Sequence, residues 1–369
     1  MSTHSFDCIV IGAGIAGASA SAFLSADRSV ALVEAEEVAG YHATGRSAAI
    51  WILNYGPADV QALTGLSRAF FENPPEGFTE TPIMARRPVV FLAPSEQMMQ
   101  LDILLEEGSG LREISIAALR EMVPVLRPGY AVRAAIEADA FDMDVASLHQ
   151  GFLRQHRARG GVLALRSRAG RITRQSGMWH VETSSGDVLR APVVVNAAGA
   201  WGDQVAALAG KSRIGLQPKR RTGVVIDPSP HLPADWPLLN DVDHSWYARP
   251  EARTRLMVSP ADETDMDACD VQPDELDIAI AIDRMQQALD IDVRQVEHAW
   301  AGLRSFTPDR SLAIGFDAAR DGFFWCVGQG GYGIQTSPAV GQLVADLVAG
   351  RDPGRAGKIL AITNPSRFT

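Results

Sequence analysis

The sequence is poor in cysteine and has no excess of basic residues. Its 369 residues include three cysteines, Cys8, Cys269 and Cys326, which lie far apart and form no CxxC pair. This spacing excludes a disulfide framework and a cysteine-based zinc site. It is typical of a protein in a reducing cytoplasm, where we expect the chain to reside. The formal net charge of −10 argues against nucleic acids or anionic membranes as partners, because both require basic patches.

Long apolar runs and metal-ligand patterns are also missing. No apolar stretch is long enough to span a bilayer, and the opening residues MSTHSFD do not resemble a signal peptide. Eight histidines occur without a pair at i, i+4. The acidic run over 262–277 lacks the spacing and central glycine of an EF-hand loop. We therefore expect a soluble globular protein without a metal site, and a solvated loop at the acidic run.

The N-terminal region does contain a βαβ pattern with a glycine motif. The mostly apolar residues 7–11 are typical of a strand buried on both faces, and Gly12-x-Gly14-x-x-Gly17 follows directly. A predicted helix and a second predicted strand come next. That second strand ends at Glu34, 20 residues after Gly14. Strand, glycine spacing, helix and acid together make the motif specific.

Each part of this pattern has a physical role. The first glycine permits a tight turn, the second lets the backbone approach a pyrophosphate, and the third lets the helix approach the strand. The helix N-terminus places partial positive charge near the phosphates, and Glu34 can accept hydrogen bonds from ribose hydroxyls. The pattern predicts a Rossmann-type dinucleotide site but does not distinguish NAD from FAD. The extreme N-terminal position, HATGRSAA at 42–49 and VVVNAAGAW at 193–201 favour FAD.

A second feature is an arginine in an apolar segment, WAGLRSF at 300–306. Arg304 lies among Trp300, Leu303 and Phe306, and the nearest acids in sequence are several residues away. A buried guanidinium is costly unless an anion or several acceptors meet it. The sequence therefore predicts that Arg304 meets the anionic group of a ligand.

These segments together resemble the FAD-dependent D-amino-acid oxidase and glycine oxidase-like (DAO) superfamily. In pattern the chain is most similar to bacterial flavoenzymes of the D-arginine dehydrogenase type. The similarity runs through most of the chain and rests on the glycine motif, GYHATGRSAA (40–49), VVNAAGAW (194–201), QPKRR (217–221), HSWYARP (244–250), WAGLRSF (300–306) and GQGGYGIQTS (328–337).

The resemblance and the motifs imply non-covalent FAD as cofactor. His42 is expected to be a turn residue rather than a covalent flavin link. The N-terminus of a last helix, predicted at 337–349, would face the flavin and stabilise negative charge on the reduced ring. The residues predicted to bind the cofactor are Gly12, Gly14, Ile15, Ala16, Gly17, Glu34, Ala35, Thr44, Gly45, Arg46, Ser47, Ala48, Ala49, Ala198, Gly199, Trp201, Gly302, Arg304, Gly331, Tyr332, Gly333, Ile334 and Gln335.

The predicted fold class is α/β with an α+β substrate domain. A Rossmann-type FAD-binding domain (1–75, 145–215 and 304–369) is interleaved with a β-rich substrate-binding domain (76–144 and 216–303). Amphipathic patterns predict further helices at 57–72, 111–122 and 144–158. For the last helix, Thr336 or Ser337 is the expected N-cap, with Pro338 in the first turn and Gly350 just past the end.

The resemblance also implies the substrate site. Arg304 would bind the substrate carboxylate and Arg221 would assist, because paired guanidinium groups suit a carboxylate. Tyr247 and Tyr55 are expected nearby. The implied reaction is hydride transfer from Cα to flavin N5, giving an imino acid that water hydrolyses to a 2-oxo acid and ammonia. The proton acceptor is left open between Tyr55, Tyr247, a bound water and direct binding of the free amine.

Two departures from the D-arginine dehydrogenase pattern change the expected substrate. The carboxylate that would hold a substrate guanidinium is replaced by Val89, and the histidine after the SAA triplet is replaced by Ile50. A distal cation would have no partner in such a pocket. The sequence therefore predicts a D-amino acid with an apolar side chain. The predicted pocket residues are Ile50, Ile52, Val89 and Leu238, with Asn240 as a polar contact and Gly331 beside the flavin.

Three other functions remain open from the sequence. One is a secondary-amine oxidase acting on glycine, sarcosine or D-proline. Another is a flavin-dependent 2-hydroxy-acid dehydrogenase. A third is a flavoprotein that serves as a redox partner without catalysis, against which the pair of buried arginines argues. The expected partners are a small-molecule substrate and an electron acceptor, which can be oxygen, a quinone or another compound.

Overall fold

The computed structural model of the chain describes residues 2–368. Its strands are β1 (Thr3–Ser5), β2 (Cys8–Ile11), β3 (Val30–Val33), β4 (Ile50–Trp51), β5 (Met84–Arg86), β6 (Val89–Ala93), β7 (Leu111–Ile114), β8 (Arg133–Glu137), β9 (Phe141–Met143), β10 (Val162–Ala164), β11 (Ala169–Gln175), β12 (Met178–Thr183), β13 (Val188–Ala191), β14 (Val193–Asn196), β15 (Gln217–Ile226), β16 (Leu238–Asp241), β17 (Tyr247–Glu251), β18 (Arg255–Ser259), β19 (Val296–Phe306), β20 (Ala313–Phe316) and β21 (Phe323–Val327).

The helices are α1 (Ile15–Leu24), α2 (Ala58–Glu72), α3 (Met98–Glu107), α4 (Ile116–Met122), α5 (Val145–Ala158), α6 (Gly202–Leu208), α7 (Glu275–Ala288), α8 (Gly333–Ala349) and α9 (Leu360–Thr363). Short 3-10 turns occupy Ser95–Gln97, Gly199–Trp201, Gly354–Ile359 and Pro365–Phe368. The predicted helices at 57–72 and 144–158 are confirmed as α2 and α5. Within residues 2–368, no helix has the length and apolarity needed to cross a bilayer.

One sheet carries the glycine motif. Its strand order is β10-β3-β2-β14-β21-β20, and all pairs are parallel except β20 with β21. Every residue of β2 is buried, as the apolar run predicts, because helices cover one face and the small sheet β1-β13-β12-β11 packs on the other. The carboxyl ends of β2, β3 and β14 meet at one edge, where ligands of parallel sheets bind.

A second, eight-stranded sheet has the order β19-β15-β18-β17-β16-β6-β8-β7. Its pairs are antiparallel except β16 with β6. Apolar side chains of α4 and α7 contribute to the core of this sheet. The sheet draws its strands from two separated parts of the chain, 89–137 and 217–306. The mixed α/β fold class is thus confirmed, and the exact domain boundaries stay a prediction.

Residues 111–122 differ from the single helical segment that was predicted. Residues Leu111–Ile114 form the edge strand β7, which pairs with β8, and only Ile116–Met122 is helical. Ser115 separates the two elements because its Oγ accepts a hydrogen bond from Ala118 N and caps α4. Pairing with a distant strand therefore decides the state of the first four residues.

The last helix begins four residues earlier than predicted, at Gly333, with Tyr332 as N-cap and no side-chain cap. Pro338 consequently lies inside the helix. Its missing N–H leaves the carbonyl of Ile334 without its usual partner, and Ser337 Oγ donates to that carbonyl at 2.9 Å instead. The predicted C-terminal end is confirmed, since Gly350 follows the helix with φ of 67°.

Candidate active site

A cavity of about 450 Å³ lies between the two large sheets. At one end it is lined by the glycine turn after β2 and by Glu34. At the other end it reaches Arg221, Tyr247 and Arg304 on the eight-stranded sheet. The structure thus joins the predicted dinucleotide site and the predicted anion site in one continuous space.

The glycine turn is built by close backbone contacts. Gly12 has φ of +103°, and a Cβ there would lie 2.5 Å from the carbonyl oxygen of Ala197. A Cβ on Gly17 would lie 1.8 Å from the carbonyl oxygen of Gly12. Both positions therefore require glycine. The first turn of α1 is fixed further by Thr44, whose Oγ1 accepts a hydrogen bond from Ile15 N at 2.9 Å.

Glu34 lies beside this turn and lines the cavity. Its Oε2 accepts a hydrogen bond from Ala13 N at 2.8 Å, and its Oε1 accepts one from Glu36 N at 3.0 Å. These bonds hold the carboxylate at the end of β3 and leave further acceptor capacity, because a carboxylate has about four lone-pair sites. The predicted contact of Glu34 with a ribose keeps its geometric basis.

Five of the predicted cofactor residues do not line the cavity. Gly17 and Gly45 are used for backbone contacts, since a Cβ on Gly45 would lie 2.9 Å from the carbonyl oxygen of Gly40. Tyr332 packs on Tyr55, with ring centroids 5.0 Å apart. Their positions in the fold correct the expectation of direct cofactor contact. The five residues are Gly17, Gly45, Ala49, Tyr332 and Gln335.

Gln335 has a different task from the one predicted. Its Nε2 donates to Thr64 Oγ1 at 2.8 Å and to the carbonyl of Ile52 at 3.3 Å, and its Oε1 accepts from Ile52 N at 3.3 Å. The side chain, 2% exposed, ties α8 to the segment before α2. It is therefore a packing contact and does not face the cavity.

The side chain of Arg46 has protein partners that the sequence does not predict. Its guanidinium pairs with Asp270 and donates to the carbonyls of Val271 and Ala301 at 3.0 and 3.1 Å. These contacts link the acidic segment to β19, while Arg46 itself also lines the cavity, so its predicted contact with the cofactor stays a prediction. Ser47 and Ala48 still line the cavity.

The acidic run 262–277 has many exposed residues, as a solvated loop does, but several of its acids pair with β15. Asp265 pairs with Lys219 at 2.5 Å and Asp277 with Arg220 at 2.8 Å. The carboxylate of Asp262 accepts from Thr222 N at 2.7 Å. The opposite charge of KRR at 219–221 is the signal in the sequence that indicates this contact. Within residues 2–368, no group of three or more His, Cys, Asp or Glu side chains is arranged to bind a metal.

Arg304 and Arg221 lie on one face of the β15–β19 pair. Arg221 of β15 is directly opposite Gly302 of β19, and Arg304 lies two residues after Gly302 on β19. Side chains two residues apart share a face of a strand. The glycine and both arginines line the cavity.

The two arginines differ in their protein partners. Arg221 donates to the carbonyl of Asp262 at 2.8 Å and lies 3.4 Å from Glu263. Arg304 donates to Tyr55 Oη at 2.9 Å, and no Asp or Glu within residues 2–368 forms an ion pair with it. A desolvated guanidinium with only phenols around it lacks a counter-charge. Arg304 thus has the surroundings of an anion-binding residue.

Tyr247 lies close enough to both guanidinium groups for their charges to act on its phenol. Burial alone raises the pKa of its phenol, but the positive charges of Arg304 and Arg221 outweigh that effect and the pKa is lowered. The phenol of Tyr332, on the other side of Tyr55, has a pKa raised by burial. The arginine end of the cavity therefore contains a phenol that ionises more readily than an ordinary tyrosine.

Gly331 is the point where the turn before α8 approaches Arg304. A Cβ there would lie 2.9 Å from Arg304 Nη1 and 3.1 Å from Tyr55 Oη. No larger residue fits without displacing one of these groups. The absent side chain keeps Arg304 exposed to the cavity.

The predicted apolar pocket residues come together, but in the core behind the cavity. Ile52, Val89 and Leu238 belong to one apolar cluster, against which Ile50, Tyr55 and Tyr247 pack. Val89 is 0% exposed, and neither it nor Ile52, Leu238 or Asn240 lines the cavity. Val89 lies opposite Leu238 in the sheet, so both side chains face the same way. The grouping agrees with the prediction, and the direct lining of the cavity does not.

Two residues near this cluster were missed by the sequence analysis. His244, in the HSWYARP segment, has a left-handed backbone with φ of 57°. Its Nδ1 lies 2.6 Å from Asn240 Nδ2, its ring is 6.0 Å from that of Tyr55, and burial lowers its pKa. The other is Glu137, a buried acid directly opposite Val89 in the β6–β8 pair, with a pKa raised by burial. The local sign in the sequence is the uninterrupted apolar run 134–136, which directly precedes Glu137 and is buried with it.

Comparison with known proteins gives one family. The family model described as DAO, FAD dependent oxidoreductase, matches residues 7–347. Curated relatives include the FAD-dependent oxidoreductase domain-containing protein 1 of Xenopus laevis, 29% identical over 42% of this chain and 34% of that protein. The same protein of Bos taurus is 27% identical over 48% of this chain and 44% of its own length. The matched region thus spans less than half of these relatives.

Solved structures share the whole fold at low sequence identity. Glycine oxidase from Geobacillus kaustophilus has a TM-score of 0.83 and 22% identity, covering 95% of this chain and 96% of that chain. L-proline dehydrogenase from P. horikoshii has a TM-score of 0.85 and 19% identity, covering 100% and 98%. L-amino acid deaminase from Proteus vulgaris has 0.81 and 17%, covering 99% and 96%. These similarities concern the fold.

Proposed function

The chain belongs to the DAO family of FAD-dependent oxidoreductases, and we propose from this premise that it oxidatively deaminates a D-amino acid with an apolar side chain. The observation that carries the proposal is the state of Arg304. Its guanidinium reaches the cavity and has no carboxylate partner within residues 2–368. A substrate carboxylate supplies the missing charge. The D-configuration rests on the resemblance in the sequence motifs.

FAD fits the residues present at the cavity. Gly12 makes the tight turn possible, Gly14 lines the cavity and lets the backbone approach a pyrophosphate, and the N-terminus of α1 adds partial positive charge. Glu34 offers acceptors to a ribose. Gly331 lets the turn before α8 approach Arg304, and both residues line the end of the cavity where the reacting part of the cofactor would lie. A bound FAD would supply the acceptor for the hydride that leaves the substrate Cα.

The protein's own contribution is orientation and control of charge. Arg304 and Arg221 bind the carboxylate from one face of the β15–β19 pair, and a fixed carboxylate limits the positions open to Cα. The substrate ammonium must lose a proton before hydride can leave. Tyr247, with its lowered pKa, takes that proton. Loss of hydride from Cα and a proton from nitrogen gives an imino acid, which water hydrolyses to a 2-oxo acid and ammonia.

The apolar cluster supports an apolar substrate side chain. Ile52, Val89 and Leu238 pack behind Tyr55 and Tyr247, so a side chain that extends past these phenols meets aliphatic groups. Burying a cation among them without a partner costs several kcal/mol, roughly 2–7 on transfer scales for a polar group and more for a charge. Substrates such as D-leucine and D-methionine avoid this cost.

One observation favours a second candidate, a D-amino acid with a cationic side chain. Glu137 lies in the same row of the sheet as Val89 and could meet such a cation. Its two oxygens already accept hydrogen bonds from Leu53 N and Asn54 Nδ2 at 2.7 and 2.8 Å. A substrate cation would have to displace one of these donors. We therefore place the apolar substrate first.

The test is anaerobic reduction of the bound flavin. The holoenzyme is mixed without oxygen with D-leucine, D-methionine, D-arginine, their L-forms, glycine, D-proline and D-lactate, and the visible flavin band is followed. Rapid bleaching by the apolar D-forms, with D-arginine slow, supports the proposal. Rapid bleaching by D-arginine moves the function to the second candidate. Bleaching by glycine, D-proline or D-lactate alone, or by none of the compounds, contradicts both.

A further inference from the structure

We propose that Glu137 is a positioning residue that holds Tyr55 against Arg304 and is not a ligand of the substrate side chain. The inference rests on the proposed carboxylate site at Arg304. It assigns a task to a carboxylate that is 2% exposed and that the proposed chemistry does not use.

The carboxylate of Glu137 lies in an apolar layer of the eight-stranded sheet. Glu137 ends β8 and is paired with Val89 of β6 and Leu111 of β7. Directly paired residues point to the same face of a sheet, and both partners belong to the apolar cluster or pack on it. Glu137 therefore enters an apolar layer, where an acid without hydrogen bonds would be costly.

The hydrogen-bond partners of Glu137 are two neighbouring residues of one turn. Glu137 Oε1 accepts from Leu53 N at 2.7 Å, and Oε2 accepts from Asn54 Nδ2 at 2.8 Å. Both donors belong to the turn between β4 and α2. The N–H of Leu53 belongs to the main chain, so its hydrogen bond to Glu137 fixes the path of the backbone at this turn.

Asn54 also binds the backbone of a second loop, at Ser109. Its Oδ1 accepts from Ser109 N at 2.7 Å, and its Nδ2 also donates to the carbonyl of Ser109 at 2.9 Å. On the opposite side, Gln335 bonds both backbone groups of Ile52. The segment 52–54 is thus held from the eight-stranded sheet on one side and from α8 on the other.

The consequence falls on the next residue. Tyr55 directly follows the held segment, and its Oη accepts from Arg304 at 2.9 Å. Its ring packs on Tyr332 at 5.0 Å. If Glu137 releases the turn, the phenol moves away from the guanidinium and Arg304 loses the contact that orients it. If Glu137 served only as a ligand of the substrate side chain, its replacement would leave Tyr55 in place.

The experiment compares Glu137→Gln with Glu113→Gln in the FAD-loaded enzyme. Glu113 lies on the neighbouring strand and pairs with Arg133 at the surface, so its variant controls for loss of a carboxylate from the sheet. The probe is 4-methylpentanoate, the carboxylate of leucine without its amine, and the readout is the change in the flavin spectrum on titration. We expect E137Q to weaken binding about tenfold, because a hydrogen bond to a charged group is lost at Arg304, and E113Q to leave it unchanged.

A double variant tests the route through Tyr55. In a Tyr55→Phe background the phenol is already gone, so E137Q should cause no further loss of affinity. If E137Q does not fold, Asn54→Ala removes one of the same contacts and takes its place. KM for D-leucine and D-arginine should rise by similar factors, with a smaller change in kcat.

Three results would overturn the inference. These are unchanged binding of 4-methylpentanoate in E137Q, an equal further loss in the Tyr55→Phe background, or a loss confined to D-arginine, which would make Glu137 a substrate ligand. Failure of the proposed function is visible separately. In that case the wild-type enzyme itself neither binds 4-methylpentanoate nor is reduced by a D-amino acid.

Discussion

Glu137 and Val89 lie directly opposite each other in the antiparallel pair of β6 and β8. At position 89 the sequence has valine where the family pattern has a carboxylate. The structure places another carboxylate, that of Glu137, on the neighbouring strand. Its oxygens are bound by the turn that carries Tyr55. An apolar cluster and an engaged carboxylate thus share one layer next to the proposed substrate site.

This relationship determines the outcome of Val89→Glu. A second acid in the row would face Glu137, and two neighbouring carboxylates cannot both be charged in an apolar layer. We expect the free energy of unfolding to fall by roughly 2–7 kcal/mol, with Val89→Ile as the control that keeps the site apolar. Measurement of urea unfolding checks this.

The same variant tests the substrate preference. In the folded fraction of Val89→Glu, a carboxylate joins the cluster against which Tyr55 and Tyr247 pack. If the substrate side chain extends past these phenols, as proposed, activity on D-arginine should rise relative to D-leucine. A variant as stable as wild type would show that Val89 does not face Glu137. An unchanged ratio of the two activities would remove Val89 from the account of specificity.

Replacement of Arg304 by lysine should weaken carboxylate binding. An ammonium cannot form the paired bonds of a guanidinium, and loss of a hydrogen bond to a charged group costs about 1.5–3 kcal/mol, or roughly 10–100-fold in affinity. Titration with 4-methylpentanoate measures this change. Arg255→Lys, at a surface pair with Glu297, is the matched control. Equal affinities in both variants would mean that Arg304 does not contact the carboxylate.

Gly331→Ala tests the close approach of the last turn to Arg304. The added methyl group would lie 2.9 Å from Arg304 Nη1, so the guanidinium must shift. We expect about a 5–150-fold loss in kcat/KM, because overpacking of this kind costs about 1–3 kcal/mol. Gly170→Ala, whose nearest atom is 3.7 Å away, should leave kcat/KM unchanged. Full activity of Gly331→Ala would place the reacting atoms elsewhere.

The sequence predicts those features whose signals are local. The buried strand β2, the tight turn at Gly12 and the arginine without an acidic neighbour all depend on residues close together in the chain. The family assignment is confirmed by the match over residues 7–347. In each case the local pattern is enough to predict the type of ligand, because the glycine spacing and the isolated cation have few alternative explanations.

The features that the sequence does not predict depend on distant pairings. Glu137 reaches Leu53 across 84 positions, and Gln335 reaches Ile52 across 283. Such contacts follow from the register of strands and the placement of helices, which no local pattern contains. The partner of Arg46 is missed for the same reason, since Asp270 lies 224 positions away. The charge complementarity is visible in the sequence, but the contact is not.

The lowered pKa of Tyr247 predicts a pH effect with a definite sign. If its phenolate takes the proton of the substrate ammonium, flavin reduction should accelerate as pH rises through the pKa of Tyr247, which Arg304 and Arg221 hold below its usual range. Tyr247→Phe should slow reduction and leave a pH dependence that is set by the substrate amine. Stopped-flow reduction by D-leucine across pH measures both. An identical pH profile in the variant would assign the proton to water or to Tyr55.

The acidic segment over 262–277 gives a prediction for cofactor retention. Arg46 connects this segment to β19 next to the cavity, through Asp270 and the carbonyls of Val271 and Ala301. Asp270 is about half exposed, so the ion pair contributes no more than about 1 kcal/mol and is screened by salt. Asp270→Asn should therefore raise the Kd of FAD by about two- to fivefold at low ionic strength. At 1 M salt the wild type and the variant should become similar, because screening has already weakened the pair.

Fluorescence of released FAD measures this Kd across ionic strength. Asp290→Asn is the matched control, since Asp290 pairs with Arg127 on the surface away from the cavity-lining residues. If FAD binds the two variants equally at low salt, the segment does not contribute to retention through Arg46. If the difference persists at 1 M salt, the effect of Asp270 comes from the shape of the segment and its hydrogen bonds, because screening would have removed a contribution that was only electrostatic.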